Sequence, residues 1–97
     1  MYGTIATLSI DPANVEKLGA MLKEWNEKED ADAIGFVGGY MLQTDADASV
    51  VKMMAVFENV EKYRANAARP EQDAWYQQLR ALLHDDPKWE DGQVIAT

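Results

Sequence analysis

The chain has 97 residues, no cysteine, nine Lys plus Arg and seventeen Asp plus Glu, for a formal charge of −8. The missing cysteines exclude a disulfide frame, a thiolate nucleophile and a cysteine metal site. The negative charge argues against nucleic acid and anionic membrane surfaces, which ask for a basic face.

At this length the expectation is a single domain, 1–97. A domain of this size buries only roughly 60–65% of its unfolded surface, so its core is marginal alone and an oligomer is favoured. Residues 2–10 alternate as a strand rich in Thr and Ile. No basic stretch precedes it, and no apolar run approaches membrane-spanning length; the expectation is a soluble, cytoplasmic protein. Asp11-Pro12 marks a helix start, with Asp to cap free amides and Pro fitting the first turn. Val15, Leu18, Leu22 and Trp25 follow at helical spacing, and the helix runs out into the acidic stretch 27–32.

Residues 34–44 read as a second strand, 45–48 as a turn and 49–58 as a third strand, together a hairpin. The third strand is apolar on both faces. Val50, Met54 and Val56 share one side with Lys52, while Val51, Met53, Ala55 and Phe57 share the other. A strand of this kind is covered on both sides. Asn59 then caps a second helix, which Arg69-Pro70 breaks or kinks, because a residue before Pro avoids helical geometry. Acids in 70–73 restart it, and Trp75, Leu79, Leu82 and Leu83 form its buried stripe. Asp86-Pro87 ends it, and the turn 90–92 leads to a last strand over 93–97.

The order is β-α-β-β-α-β, the ferredoxin-like α+β pattern: one antiparallel sheet with two helices on one face and the third strand central. The helix-free face stays apolar, and a second copy of the chain is the simplest cover, giving a two-fold homodimer. Lys52 decides which face is which. Its stem snorkels to an edge more easily at the dimer seam than among the helices, so Met53 and Phe57 are expected to face the helices and any ligand.

Five segments carry a family resemblance: Met1–Ala6, Gly35–Tyr40, Val56–Tyr63, Asn66–Tyr76 and Trp89–Val94. Together they resemble the antibiotic biosynthesis monooxygenase family of dimeric α+β barrels over nearly the whole chain. The resemblance implies either cofactor-independent oxidation of anthrones or quinols by O₂, or haem binding. The haem-degrading members carry a pocket Trp in the second helix, a His ligand about ten residues later and an Asn in the first strand. Here Asn66 stands at the Trp position, Tyr76 or Trp75 stands near the His, and the first strand has Thr4 and Thr7. The haem site is not carried over, and the resemblance implies no cofactor. The quinol-forming members use pocket Asn, Trp, Tyr and Arg. The second helix holds those types as Asn66, Trp75, Tyr76 and Arg80, without a residue-by-residue match.

Tyr63, Trp75, Met53 and Phe57 are the candidate ligand pocket between helices and sheet; the aromatic members combine flat apolar surface with polar tips. Aromatics at helical spacing are more often core, and Trp75 is weighed that way first. Asn66, Tyr76, Arg80 and His84 are the candidate catalytic groups. Asn66 lowers helix propensity, and if buried it needs partners. His84 is the sole histidine and a possible general base, although beside a helix C-terminus its structural role is favoured. His84-Asp85-Asp86 is a poor metal site, since neighbours on a helix point apart. The 45–49 segment lacks the central Gly and distal Glu of a calcium loop. Gly35, Gly38 and Gly39 lie in a strand and are read as a bulge or bend. The expected function is monooxygenation of a small aromatic substrate without a cofactor. The alternative is a non-catalytic ligand-binding or interaction dimer.

Overall fold

The computed structural model describes residues 1–27 and 34–97; most of the acidic stretch 27–32 lies outside them. Four strands form one antiparallel sheet: β1 (Tyr2–Ser9), β2 (Phe36–Gln43), β3 (Val50–Phe57) and β4 (Lys88–Gln93), in the order β2-β3-β1-β4. The helices are α1 (Val15–Asn26), α2 (Val60–Ala67) and α3 (Pro70–Ala81), with a short 3-10 turn over Pro12–Asn14. The fold is ferredoxin-like, with the expected second helix divided into α2 and α3.

Local chemistry sets the boundaries. Asp11 accepts from the Ala13 amide at 2.9 Å and Asn59 from the Lys62 amide at 2.8 Å, each satisfying a donor left free at a helix start. Arg69 is extended, with φ −79° and ψ 138°, because Pro70 crowds it out of the helical region; this is the break between α2 and α3. In the 45–48 turn Ser49 gives its hydroxyl at 2.6 Å and its amide at 2.9 Å to Asp47 Oδ1. Those two bonds hold the Asp47 carboxyl below its ordinary range.

All helices pack on one face of the sheet. Ala6, Leu8, Val51 and Met53 from the strands meet Leu18, Leu79 and Leu83 from the helical side. A second cluster joins Trp25, Phe36 and Phe57, with Trp75 touching both. Met53 and Phe57 are each 3% exposed on this face, and Lys52 lies on the other with Nζ 2.8 Å from Thr7 Oγ1. The face assignment drawn from Lys52 therefore matches the structure. On the helix-free face, Tyr40, Met54 and Ile5 stand side by side across three strands, 75%, 40% and 39% exposed.

The last strand is a correction. It covers Lys88–Gln93, and 93–97 is not a strand beyond Gln93. Residues 90–92, expected as a turn, pair with β1: Thr4 lies opposite Asp91 and Ala6 opposite Trp89. The strand is an edge with every residue exposed, so backbone pairing to β1 selects it rather than an apolar alternation of its own.

Among the described residues, no helix is long and apolar enough to cross a membrane.

Candidate functional site

Register explains where the molecule is hollow. On the helix face, one row across the sheet is Gly39, Ala55, Thr4 and Asp91, whose first three side chains are small. The row on one side is Phe36, Phe57 and Tyr2; the row on the other is Met41, Met53, Ala6 and Trp89. The Leu22 side chain covers Gly39, whereas Ala55 and Thr4, between Phe57 on one side and Met53 on the other, leave a trough that the helices roof without filling. The result is a cavity of about 420 Å³ between sheet and helices, inside the roughly 300–1,000 Å³ range of small-molecule sites.

Aromatic rings form much of its wall. Tyr63 packs on Phe57 at 5.5 Å, Phe57 on Phe36 at 5.4 Å, Phe36 on Trp25 at 6.2 Å and Trp25 on Trp75 at 5.5 Å. Tyr76 and Trp89 complete it with centroids 6.4 Å apart. All three tryptophans of the chain line this one cavity. Trp75 is half-buried and serves two roles: its Nε1 reaches the Met21 carbonyl at 3.4 Å while its ring lines the space.

Two of the polar lining groups, Asn66 and Tyr63, are held by hydrogen bonds. Asn66 is 5% exposed, and Arg69 Nη1 donates to its Oδ1 at 3.2 Å while its own Nδ2 donates to Gln72 Oε1 at 3.2 Å. A buried Asn needs such partners; Asn66 is the penultimate residue of α2, and the α2–α3 break supplies them by bringing Arg69 and Gln72 to it. The Tyr63 hydroxyl donates to Asp91 Oδ1 at 3.1 Å. Burial pushes the Tyr63 phenol above its ordinary value of 10.0; a hydrogen bond with Thr4 opposes the shift and the Asp91 charge adds to it.

Of the eight sequence-derived site residues, Asn66, Tyr76, Tyr63, Trp75, Met53 and Phe57 line this cavity, and His84 and Arg80 do not. The His84 amide bonds to the Ser9 carbonyl at 2.9 Å, beside the bridge between Ile10 and Leu83, and its side chain is exposed. Arg80 gives Nε to Asp86 at 2.8 Å and Nη1 to the Leu83 carbonyl at 3.1 Å, pinning the end of α3. The only histidine thus offers this cavity neither a base nor an axial ligand. Thr4, Gln72, Asp73, Trp89 and Asp91 also line it and were not foreseen. Trp89 and Asp91 depend on the register of β4, and Asp73 reads in sequence only as an acid at a helix start. Among the described residues, no three His, Cys, Asp or Glu side chains are grouped to hold a metal ion.

No family model matches the sequence, and no curated protein matches it. Solved structures do resemble it. A Deinococcus radiodurans protein described as a candidate antibiotic biosynthesis monooxygenase superposes with a TM-score of 0.78 at 14% identity, covering 100% of this chain and 95% of that one. A similarly described Caulobacter crescentus protein gives 0.80 at 15% identity, with 98% and 90% covered. An asparagine-to-alanine variant of SnoaB, a cofactor-independent oxygenase from Streptomyces nogalater, gives 0.77 at 18%, with 99% and 94% covered. The resemblance read from the five sequence segments is therefore a resemblance in three dimensions, and the chain has the fold of the antibiotic biosynthesis monooxygenase structures.

Proposed function

We propose that this chain is a cofactor-independent monooxygenase that takes a small planar aromatic substrate with an acidic C–H into the helix–sheet cavity. The observation that carries the reading is the trough over Ala55 and Thr4, walled by the rings of Trp25, Phe36, Phe57, Tyr63, Trp75 and Tyr76. SnoaB, named as a cofactor-independent oxygenase, shares the fold and supports it.

The reaction needs little from the protein beyond a dry, oriented space. An anthrone-type methylene loses a proton, and the carbanion gives one electron to O₂. The resulting radical and superoxide combine at carbon; protonation and loss of water leave a carbonyl. In sum CH₂ and O₂ become C=O and H₂O. In this reading Asn66 and Tyr76, both in the lining, orient the substrate oxygen and stabilise charge that develops on it. Asp73 or Asp91 is the available proton acceptor at the cavity rim, a position where His84 and Arg80 do not lie. Tyr63, Trp75, Met53 and Phe57 hold the ring system. Incubation with an anthrone should consume O₂ and yield the quinone with unit stoichiometry; an anaerobic sample should stay unchanged. A panel of anthrones and quinols with no enzyme-dependent O₂ uptake would defeat the catalytic reading.

A ligand-binding role without turnover is favoured by one observation: Asn66 is already paired with Arg69 and Gln72, and the Tyr63 hydroxyl with Asp91. Saturable binding of the same compounds with no O₂ uptake would select it.

The reading includes a second copy of the chain on the helix-free face. Ile5, Tyr40, Leu42 and Met54 form an exposed apolar surface there, the kind that marks association. Light scattering should give a dimer at micromolar concentration, and Met54→Glu should shift it to monomer. A stable wild-type monomer would sink this part of the proposal.

A further inference from the structure

We propose that the helix–sheet cavity selects its aromatic ligand by charge: a protonated amine next to the ring system is preferred to a neutral alcohol, and both to a carboxylate. The inference rests on the reading of the cavity as a ligand site and adds the sign of the group that the site accepts.

Two carboxylates, Asp73 and Asp91, belong to the lining, and no Lys, Arg or His does among the described residues. Asp91 takes the Tyr63 hydroxyl on Oδ1 at 3.1 Å, and its second oxygen has no hydrogen-bond partner among the described residues. An incoming donor finds that oxygen already oriented, because Tyr63 and the β1–β4 register fix the carboxylate. Arg69 approaches from behind Asn66, with Nη1 at 3.2 Å from Asn66 Oδ1 and Nε at 3.6 Å from Glu71, and is not part of the lining. The aromatic faces act in the same direction, since the ring quadrupole attracts cations and repels anions. The formal charge of −8 adds a field of the same sign over the whole molecule. A ligand carboxylate would lose hydration beside Asp91 and find no cation in the wall to compensate.

Three probes of matched shape test this: anthracenylmethylammonium, anthracenylmethanol and anthracene carboxylate, titrated at neutral pH against tryptophan emission. All three tryptophans line the cavity, so quenching reports on it directly. The dissociation constants should rise in that order, spanning roughly tenfold or more at low salt and narrowing as salt is added. Asp91→Asn keeps an acceptor for Tyr63 on an exposed edge strand, and should shrink the span with the circular dichroism spectrum unchanged. Equal affinities, or preference for the carboxylate, overturn the inference. So does a span that survives both Asp91→Asn and Asp73→Asn. Binding of the neutral probe without any charge ranking removes this inference alone, whereas silence from every probe removes the ligand-site reading together with it.

Discussion

Replacing Leu8 with alanine should destabilise the protein by about 3–5 kcal/mol, the upper range for a fully buried leucine. Leu8 is 0% exposed on central strand β1, opposite Val51 and in the same cluster as Leu79, itself 0% exposed. Both neighbours belong to regular elements fixed by their own hydrogen bonds, so the void cannot collapse. A domain of this size has total stability of order 5–15 kcal/mol, and the variant sits near the edge of folding. Urea denaturation followed by circular dichroism measures the loss. The control is Ile5→Ala on the same strand, whose side chain is 39% exposed on the helix-free face. In the monomer it should cost less than about 1 kcal/mol. If Ile5→Ala costs as much as Leu8→Ala, and the cost grows with protein concentration, that face is covered by a second copy.

The second large effect concerns Phe57, 3% exposed and wedged between Phe36 at 5.4 Å and Tyr63 at 5.5 Å. Phe57→Ala should cost about 3–4 kcal/mol, because a large ring leaves a site held open on both sides. Phe57→Leu keeps most of the apolar volume and should cost about 1–1.5 kcal/mol. Because Phe57 also lines the cavity, the leucine variant should remain folded yet admit a wider ring system. Tryptophan quenching by an anthracene probe and by a probe one ring larger reads this directly. The ratio of the two affinities should move several-fold towards the larger probe. An unchanged ratio would mean that Phe57 does not bound the ligand space.

The elements legible in the sequence were those whose burial follows their own periodicity. The α1 stripe of Leu18, Leu22 and Trp25 is buried as its spacing predicts, and in α3 Leu79 is buried and Trp75 partly so; the helix expected to run to Asp86-Pro87 ends at Ala81, and Leu83 is buried in a bridge to Ile10 instead of on a helical stripe. The two faces of β3 were separated by one lysine. β4 was misplaced because its six residues carry no apolar period; a strand recruited as an edge by its neighbour has no signature in its own composition. The same blind spot hid Trp89 and Asp91, which reach the cavity only through that pairing. The second-helix aromatics were found because flat apolar bodies with polar tips suit a cavity wall. His84 and Arg80 were singled out by chemistry alone, and chemistry carries no information about which end of the sheet a residue occupies. Asn66 was ambiguous for a related reason: its burial depends on a break that brings Arg69 and Gln72 to it.

The irregularity in β2 between Phe36 and Gly38 has a consequence for chain length. An unbroken strand places residues three apart on opposite faces, yet Phe36 pairs with Phe57 and Gly39 with Ala55, both on the helix side. The extra residue, Val37, absorbs the mismatch and stays 54% exposed. Loss of one residue here would turn either the Phe36 end or the Gly39–Met41 end inside out. Related chains should therefore vary in length at the solvated 45–48 turn and keep a constant count between residues 36 and 41, even though β2 is a sheet edge.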